Sequence, residues 1–170
     1  MRNVVNGVVG EAGYVSKLEQ KYDQNKIIKK NGNGEIINMN EIIIKGVPGD
    51  IKIENWYDDN DESVYLDVVV SNIFAASYIK QASKERLYVA KYKEKLKKDK
   101  YQNKENIIPL ALETMGAMGD EFKRVLQKLV DRIATRKNKK YSIIMNQIRT
   151  KIIANLMKLN AVMVLTSIIL

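Results

Sequence analysis

The 170-residue chain contains no cysteine, no histidine and only two prolines. Without cysteine there is no disulfide framework, thiolate zinc site, iron–sulfur cluster or thiol nucleophile. Without histidine there is no Ser-His-Asp triad, no imidazole-ligated metal and no imidazole base. Chemistry in this chain must therefore run on carboxylates, lysines, hydroxyls and backbone groups. No basic region followed by a sustained apolar run stands near Met1, so a signal peptide is not expected. Residues 152–170 are apolar but interrupted by Asn155, Lys158 and Asn160. The clean run that follows is too short for a hydrocarbon core of roughly 30 Å and reads as a helix closing over the core. The expectation is a soluble, intracellular protein with no membrane partner, nucleus and cytoplasm being undistinguished.

What is present is positive charge. There are 29 Lys and Arg against 20 Asp and Glu, a net charge of +9 and a pI near 9.5. Such a balance favours an anionic partner, and a polyphosphate backbone is the usual one; compositional drift toward Lys, Asn and Ile is the bland alternative. The excess is concentrated in residues 80–104, which include Lys91, Lys93, Lys95, Lys97, Lys98, Lys100 and Lys104, with a second cluster at Arg132, Arg136, Lys137, Lys139 and Lys140. Asp58, Asp59, Asp61 and Glu62 form one acidic knot.

Periodicity divides the chain. Val4, Val5, Val8, Val9 and Ala12 recur at helical spacing, with Gly13 as the stop. Residues 14–20 alternate as a short strand, residues 25–40 are a Lys/Asn/Gly loop, and three isoleucines lie in residues 41–45. Residues 50–53 alternate, residues 64–70 are a β-branched run of the buried-strand kind, and the acidic knot suits the hairpin loop between them. Residues 77–100 predict one long amphipathic helix whose buried stripe is Tyr78, Ala82, Val89, Tyr92 and Leu96. Tyr88, Tyr92 and Tyr101 could stack bases, but tyrosines on such a stripe are more often core. A strand follows at residues 106–112, a turn at 115–119, and a helix from Asp120 to about Arg136 whose stripe is Phe122, Val125, Leu126, Leu129 and Ile133. A final helix opens near Ser142. The order is that of one α/β layer domain over residues 1–170, with a core of about 2–136 and a helical C-terminal extension of about 140–170.

Two carboxylates carry the chemical interest. Asp50 opens one strand and Asp67 lies inside the next, among Val64, Leu66, Val68, Val69 and Val70. An ionised carboxylate in a core strand is costly unless paired or liganded. Two oxygen donors converging at one end of a hairpin would suit Mg²⁺, which keeps several waters and can activate one against a phosphate. A nearby lysine would stabilise the added negative charge. The alternative is that Asp50 is a turn residue after Pro48-Gly49 and Asp67 merely pairs with a lysine. Other signals are weaker. Residues 58–62 lack the Gly and Glu of a calcium loop, no Gly-Lys-Ser/Thr completes a phosphate loop, and Trp56 is expected to pack over the sheet edge.

Five short motifs in order add a resemblance: Arg2-Asn3-Val4-Val5 with Glu11-Ala12-Gly13 and Glu19; Pro48-Gly49-Asp50-Ile51 with Trp56; Leu66-Asp67-Val68-Val69-Val70; Ala90-Lys91-Tyr92; and Ile108-Pro109-Leu110-Ala111-Leu112-Glu113-Thr114-Met115-Gly116. From Arg2 to about Val164 the chain resembles PD-(D/E)XK restriction-endonuclease-like nuclease domains, of the kind found alone or at the C-terminal end of retroelement reverse-transcriptase polyproteins. The resemblance implies a mixed central sheet flanked by helices and a Mg²⁺- or Mn²⁺-dependent site. Asp50 and Asp67 would be the metal ligands, Glu19 and Glu113 auxiliary carboxylates, and Lys91 the charge-stabilising lysine. The fold's usual lysine position, two after Asp67, is Val69; the family usually has Thr there, with a lysine from the following helix as substitute. The histidine that commonly follows the first arginine is absent, and Val47 stands where an arginine often precedes Pro-Gly-Asp.

The first functional expectation is a DNA endonuclease, with an RNA/DNA hybrid as a further substrate form. The alternatives are a nucleic-acid-binding module without catalysis and a structural or interaction remnant of a mobile element, held together by the apolar C-terminal helix, with a homodimer as the partner expectation.

Overall fold

Ten residues with valines at positions 5, 8 and 9 turned inward make α1 (Arg2–Glu11), and Gly13, at φ +84°, stops it in a conformation that favours glycine. The Arg136 guanidinium occupies the space that a Cβ at this position would need. The protein's structure is a computed structural model describing residues 1–18, 49–57, 63–101 and 106–169, with side chains to 165. Glu19, the loop at 25–40, the isoleucines at 41–45, Pro48 and the acidic knot at 58–62 lie outside the described residues.

The described elements form an α/β fold: α1, β1 (Ser16–Leu18), β2 (Ile51–Ile53), β3 (Val64–Ser71), α2 (Ile79–Ala82), α3 (Tyr88–Lys100), β4 (Ile107–Glu113), α4 (Asp120–Lys137) and α5 (Tyr141–Ile169). The sheet is open and mixed, in the order β1-β2-β3-β4. β1/β2 and β2/β3 are antiparallel, while β3 and β4 run parallel, joined through α2 and α3. A parallel pair needs such a crossover, and covering by helices explains why every residue of β4 is buried.

Alternation along β3 and β4 separates two faces. Val64 and Leu66 of β3, with Ile108, Leu110 and Leu112 of β4, enter a core shared with α1, α4 and α5. Phe122, Val125, Leu126, Leu129 and Ile133 form the buried stripe of α4, as their 3- and 4-residue spacing predicts. Ile144, Met145, Ile148, Ile152 and Leu156 of α5 enter the same core, so its first half is an integral wall. Beyond Leu156, Met157 and Leu165 are exposed, and no helix among the described residues is long and apolar enough to cross a membrane. Trp56 is 1% exposed and stacks on Tyr14 with ring centroids 5.2 Å apart, inside the core rather than over its edge.

The opposite face of the sheet carries Asp67, Val69 and Ser71 of β3 and Pro109, Ala111 and Glu113 of β4, in register with one another. α3 covers it. The expected single helix over 77–100 is two: Leu87 adopts a left-handed conformation (φ 64°) between α2 and α3 and breaks the ladder. The expected buried stripe is corrected in part: Val89 is fully buried as expected and Ala82 half-buried. Tyr92 and Leu96 are exposed, and the residues turned to the sheet are Ala90, Glu94, Lys97 and Tyr101. Those four recur at 4, 3 and 4, a helical face in its own right.

Candidate active site

Asp67 stands mid-strand on the α3 face and is 6% exposed. A buried carboxylate requires partners, and α3 supplies two from successive turns. Lys97 Nζ donates to Asp67 Oδ2 at 2.8 Å, and the Tyr101 hydroxyl donates to the same oxygen at 2.7 Å. Among the described residues no donor serves Oδ1. Burial pushes the Tyr101 hydroxyl above its ordinary range, and the hydrogen bond to Asp67, the charge of Asp67 and the charge of Asp50 push in the same direction. Tyr101 therefore stays a proton donor through neutral pH.

Asp50 brackets Asp67. Its N–H donates to Leu66 O at 2.7 Å, and its Oδ2 accepts the Val68 N–H at 2.9 Å. Leu66 and Val68, on either side of Asp67, thus hold Asp50 in place, and its side chain extends the hydrogen bonding ahead of Ile51, where β2 begins. Gly49 makes the approach possible. Its φ is +108°, and a Cβ there would lie 2.9 Å from Tyr65 Cβ and 3.2 Å from Leu66 O. Among the described residues the ion-pair partner of Asp50 Oδ1 is Arg2 Nη1, at 4.0 Å. Each aspartate thus has one oxygen committed to protein donors and one that accepts no described hydrogen bond. Asp50 also borders a groove of about 400 Å³ with Met1, Arg2, Val68, Val70 and Leu159.

The other expected residues fall elsewhere. Lys91 is turned to the outer surface, 3.3 Å from Glu85, and does not reach Asp67. Lys97, six residues on, is the lysine that does. Glu113 is buried, but its Oε1 accepts the Ala90 N–H at 3.1 Å and so caps the first turn of α3. Its register partner, Ser71, lies four residues along β3 from Asp67, about 13 Å at strand rise. Among the described residues no group of three or more His, Cys, Asp or Glu side chains is placed to hold a metal.

A further buried carboxylate, Glu94, also proves structural. Its oxygens accept the N–H groups of Glu121 and Phe122 at 3.3 Å, both in the first turn of α4, where the helix leaves donors unsatisfied. Gly119, the N-cap of α4, has no side chain because the Glu94 carboxylate fills that space. Burial nevertheless holds the Glu94 carboxyl above the usual range, against the three backbone N–H groups of Glu121, Phe122 and Ala111 that pull it down. α3 is thereby fastened at three points: Glu113 at its start, Glu94 at its middle, and Asp67 at its end.

Lys97 and Tyr101 were legible only as the last two members of the Ala90/Glu94/Lys97/Tyr101 spacing. Their polarity disguised them as a solvent face. No family model matches the chain, and no curated protein or solved structure is significantly similar to it.

Proposed function

We propose that this chain is a restriction-endonuclease-like domain that hydrolyses phosphodiester bonds of DNA with Mg²⁺ or Mn²⁺, in a mobile-element setting. One observation carries the reading. A buried strand aspartate is paired through a single oxygen with a lysine from the next helix, while a second aspartate is pinned to the backbone on both sides of it. The donor set is hard oxygen, which fits Mg²⁺ or Mn²⁺ completed by water. Asp50 and Asp67 would hold the ion. When bound, it supplies charge neutralisation at the phosphate and a more acidic attacking water.

The chain's own residues do the rest. Lys97 carries the positive charge nearest Asp67, where it steadies a water nucleophile and opposes the charge gathered in the transition state. Tyr101 fixes Asp67 Oδ2 by donating to it, which leaves Oδ1 in a defined position. Arg2 stands beside Asp50, with Nη1 4.0 Å from Asp50 Oδ1, and adds positive charge there. The net charge of +9 draws the polyanion in.

A second reading has its own support, since a lysine and a tyrosine are also what a buried aspartate needs for stability alone. In that case the chain binds nucleic acid without cutting it. Supercoiled plasmid incubated with Mn²⁺ separates the two. The nuclease reading expects nicking that is lost in Asp67→Asn and in Lys97→Met and kept in Lys91→Met. Absence of nicking in the wild type, or its persistence in Asp67→Asn, refutes it.

A further inference from the structure

The outer face of α3 serves neither the core nor the aspartates. Residues 79–100 hold nine Lys and Arg against three acidic residues, +6 of the chain's net +9. Of those acidic residues, Glu94 is buried against α4 and Glu85 is paired with Lys91. Among the described residues no carboxylate lies within ion-pair distance of Lys80, Lys84, Arg86, Lys93 or Lys95. On the same side stand three tyrosines outside the hydrophobic core. Tyr88 and Tyr92, four residues apart, stack with centroids 5.9 Å apart and planes 7° from parallel. Tyr78 of the preceding turn tilts against Tyr92 at 6.0 Å, and Lys93 Nζ sits 5.2 Å over the Tyr78 ring. Tyr92 is 37% exposed. Tyr78 and Tyr88 are half-buried beside it, so the cluster stands partly open and is fringed by unneutralised lysines.

We infer that the outer face of α2 and α3 is a docking surface for single-stranded DNA, with Tyr88 and Tyr92 as the base-stacking element and Arg86, Lys93 and Lys95 as the phosphate contacts. The charge fits the backbone of either strand form; the rings fit only bases freed from a duplex, because paired bases have no open face to offer. α3 is about 10 Å thick and separates this surface from Asp67. The strand held here is therefore a flanking or displaced one, beside the segment presented to the aspartates. This inference deepens the nuclease reading by naming the form of nucleic acid it acts beside.

The test is fluorescence anisotropy with a labelled oligonucleotide of about 20 nucleotides, longer than the ~4–16 nucleotide footprint of typical strand-binding surfaces. It is run in EDTA with the full chain, next to a duplex of the same length. Tyr88→Ala/Tyr92→Ala should raise the Kd for the single strand at least fivefold, while Tyr88→Phe/Tyr92→Phe, which keeps the rings, should leave it unchanged. Lys93→Ala/Lys95→Ala should flatten the slope of log K against log salt by about 1.4, two contacts at ~0.7 each. Equal affinity of the alanine and phenylalanine pairs, or tighter binding of duplex than of single strand, overturns the inference. The plasmid assay stands apart. Nicking with no tyrosine dependence of strand binding would sink this inference alone, and tyrosine-dependent binding without nicking would sink the nuclease reading alone.

Discussion

Replacing Lys97 with methionine keeps the length of the side chain and removes its charge, which isolates the bond to Asp67. Two bounds fix the magnitude. A hydrogen bond to a charged group contributes about 1.5–3 kcal/mol, and leaving a fully buried ion without its partner costs about 3–5 kcal/mol. The Lys97 side chain is 27% exposed, that of Asp67 8%, and Tyr101 remains bonded to the same oxygen. The loss should therefore lie near the low end, about 2 kcal/mol. For a domain of this size that lowers Tm by about 4–8 °C. Lys91→Met is the matched control. Its pair with Glu85 is about half exposed on both sides, so the change should stay within about 0.5 kcal/mol. Urea denaturation followed by circular dichroism measures both. Adding Asp67→Asn closes a double-mutant cycle in which Lys97 should couple to Asp67 by more than 1 kcal/mol, as groups in one hydrogen-bonded network do. Equal losses for the two lysine variants, or a coupling energy near zero, would refute the assignment of Lys97 to Asp67.

Two further outcomes follow from the geometry. Gly49→Ala should destabilise the fold by about 1–3 kcal/mol, the range for a side chain forced into a left-handed conformation, and thermal melts will show it; a neutral change would mean that Asp50 is not held by a strained turn. Glu94→Gln tests the buried carboxylate on α4. Because the folded-state pKa is raised, the folded chain binds the extra proton between the unfolded value of about 4.3 and that higher pKa. Wild-type stability should thus fall relative to Glu94→Gln as pH rises through this window. Urea midpoints taken in steps from about pH 4 to pH 7 measure the difference, and a gap that widens in favour of the wild type with rising pH would contradict it.

Where burial follows apolar type, the sequence was easy to read. The stripe of α4, the β-branched run of β3 and the valines of α1 each appear where their periodicity places them. α3 defeated the same logic for a physical reason. The sheet face beneath it carries the carboxylates of Asp67 and Glu113, so the helix turns Lys97, Tyr101 and its own first-turn N–H groups inward and leaves Tyr92 and Leu96 outside. Apolar type is a poor guide when the facing surface is charged. That Asp50 and Asp67 belong to neighbouring antiparallel strands was legible, because the alternation after Asp50 and the β-branched run around Asp67 mark both strands. Lys91 could not be told from Lys97, since six lysines in eleven residues offer no local signal; only the turn at Leu87 sets the phase of the helix. Glu113 was legible as a buried strand-end carboxylate but not as a cap, because its partner is a backbone N–H 23 residues away.

Mn²⁺ titration followed by electron paramagnetic resonance tests the proposal that Asp50 and Asp67 together hold one divalent cation. A single bound Mn²⁺ per chain is expected, weakened at least tenfold in both Asp50→Asn and Asp67→Asn and unaltered in Glu113→Gln. Undiminished Mn²⁺ binding by Asp67→Asn, or equal weakening by Glu113→Gln, would contradict it.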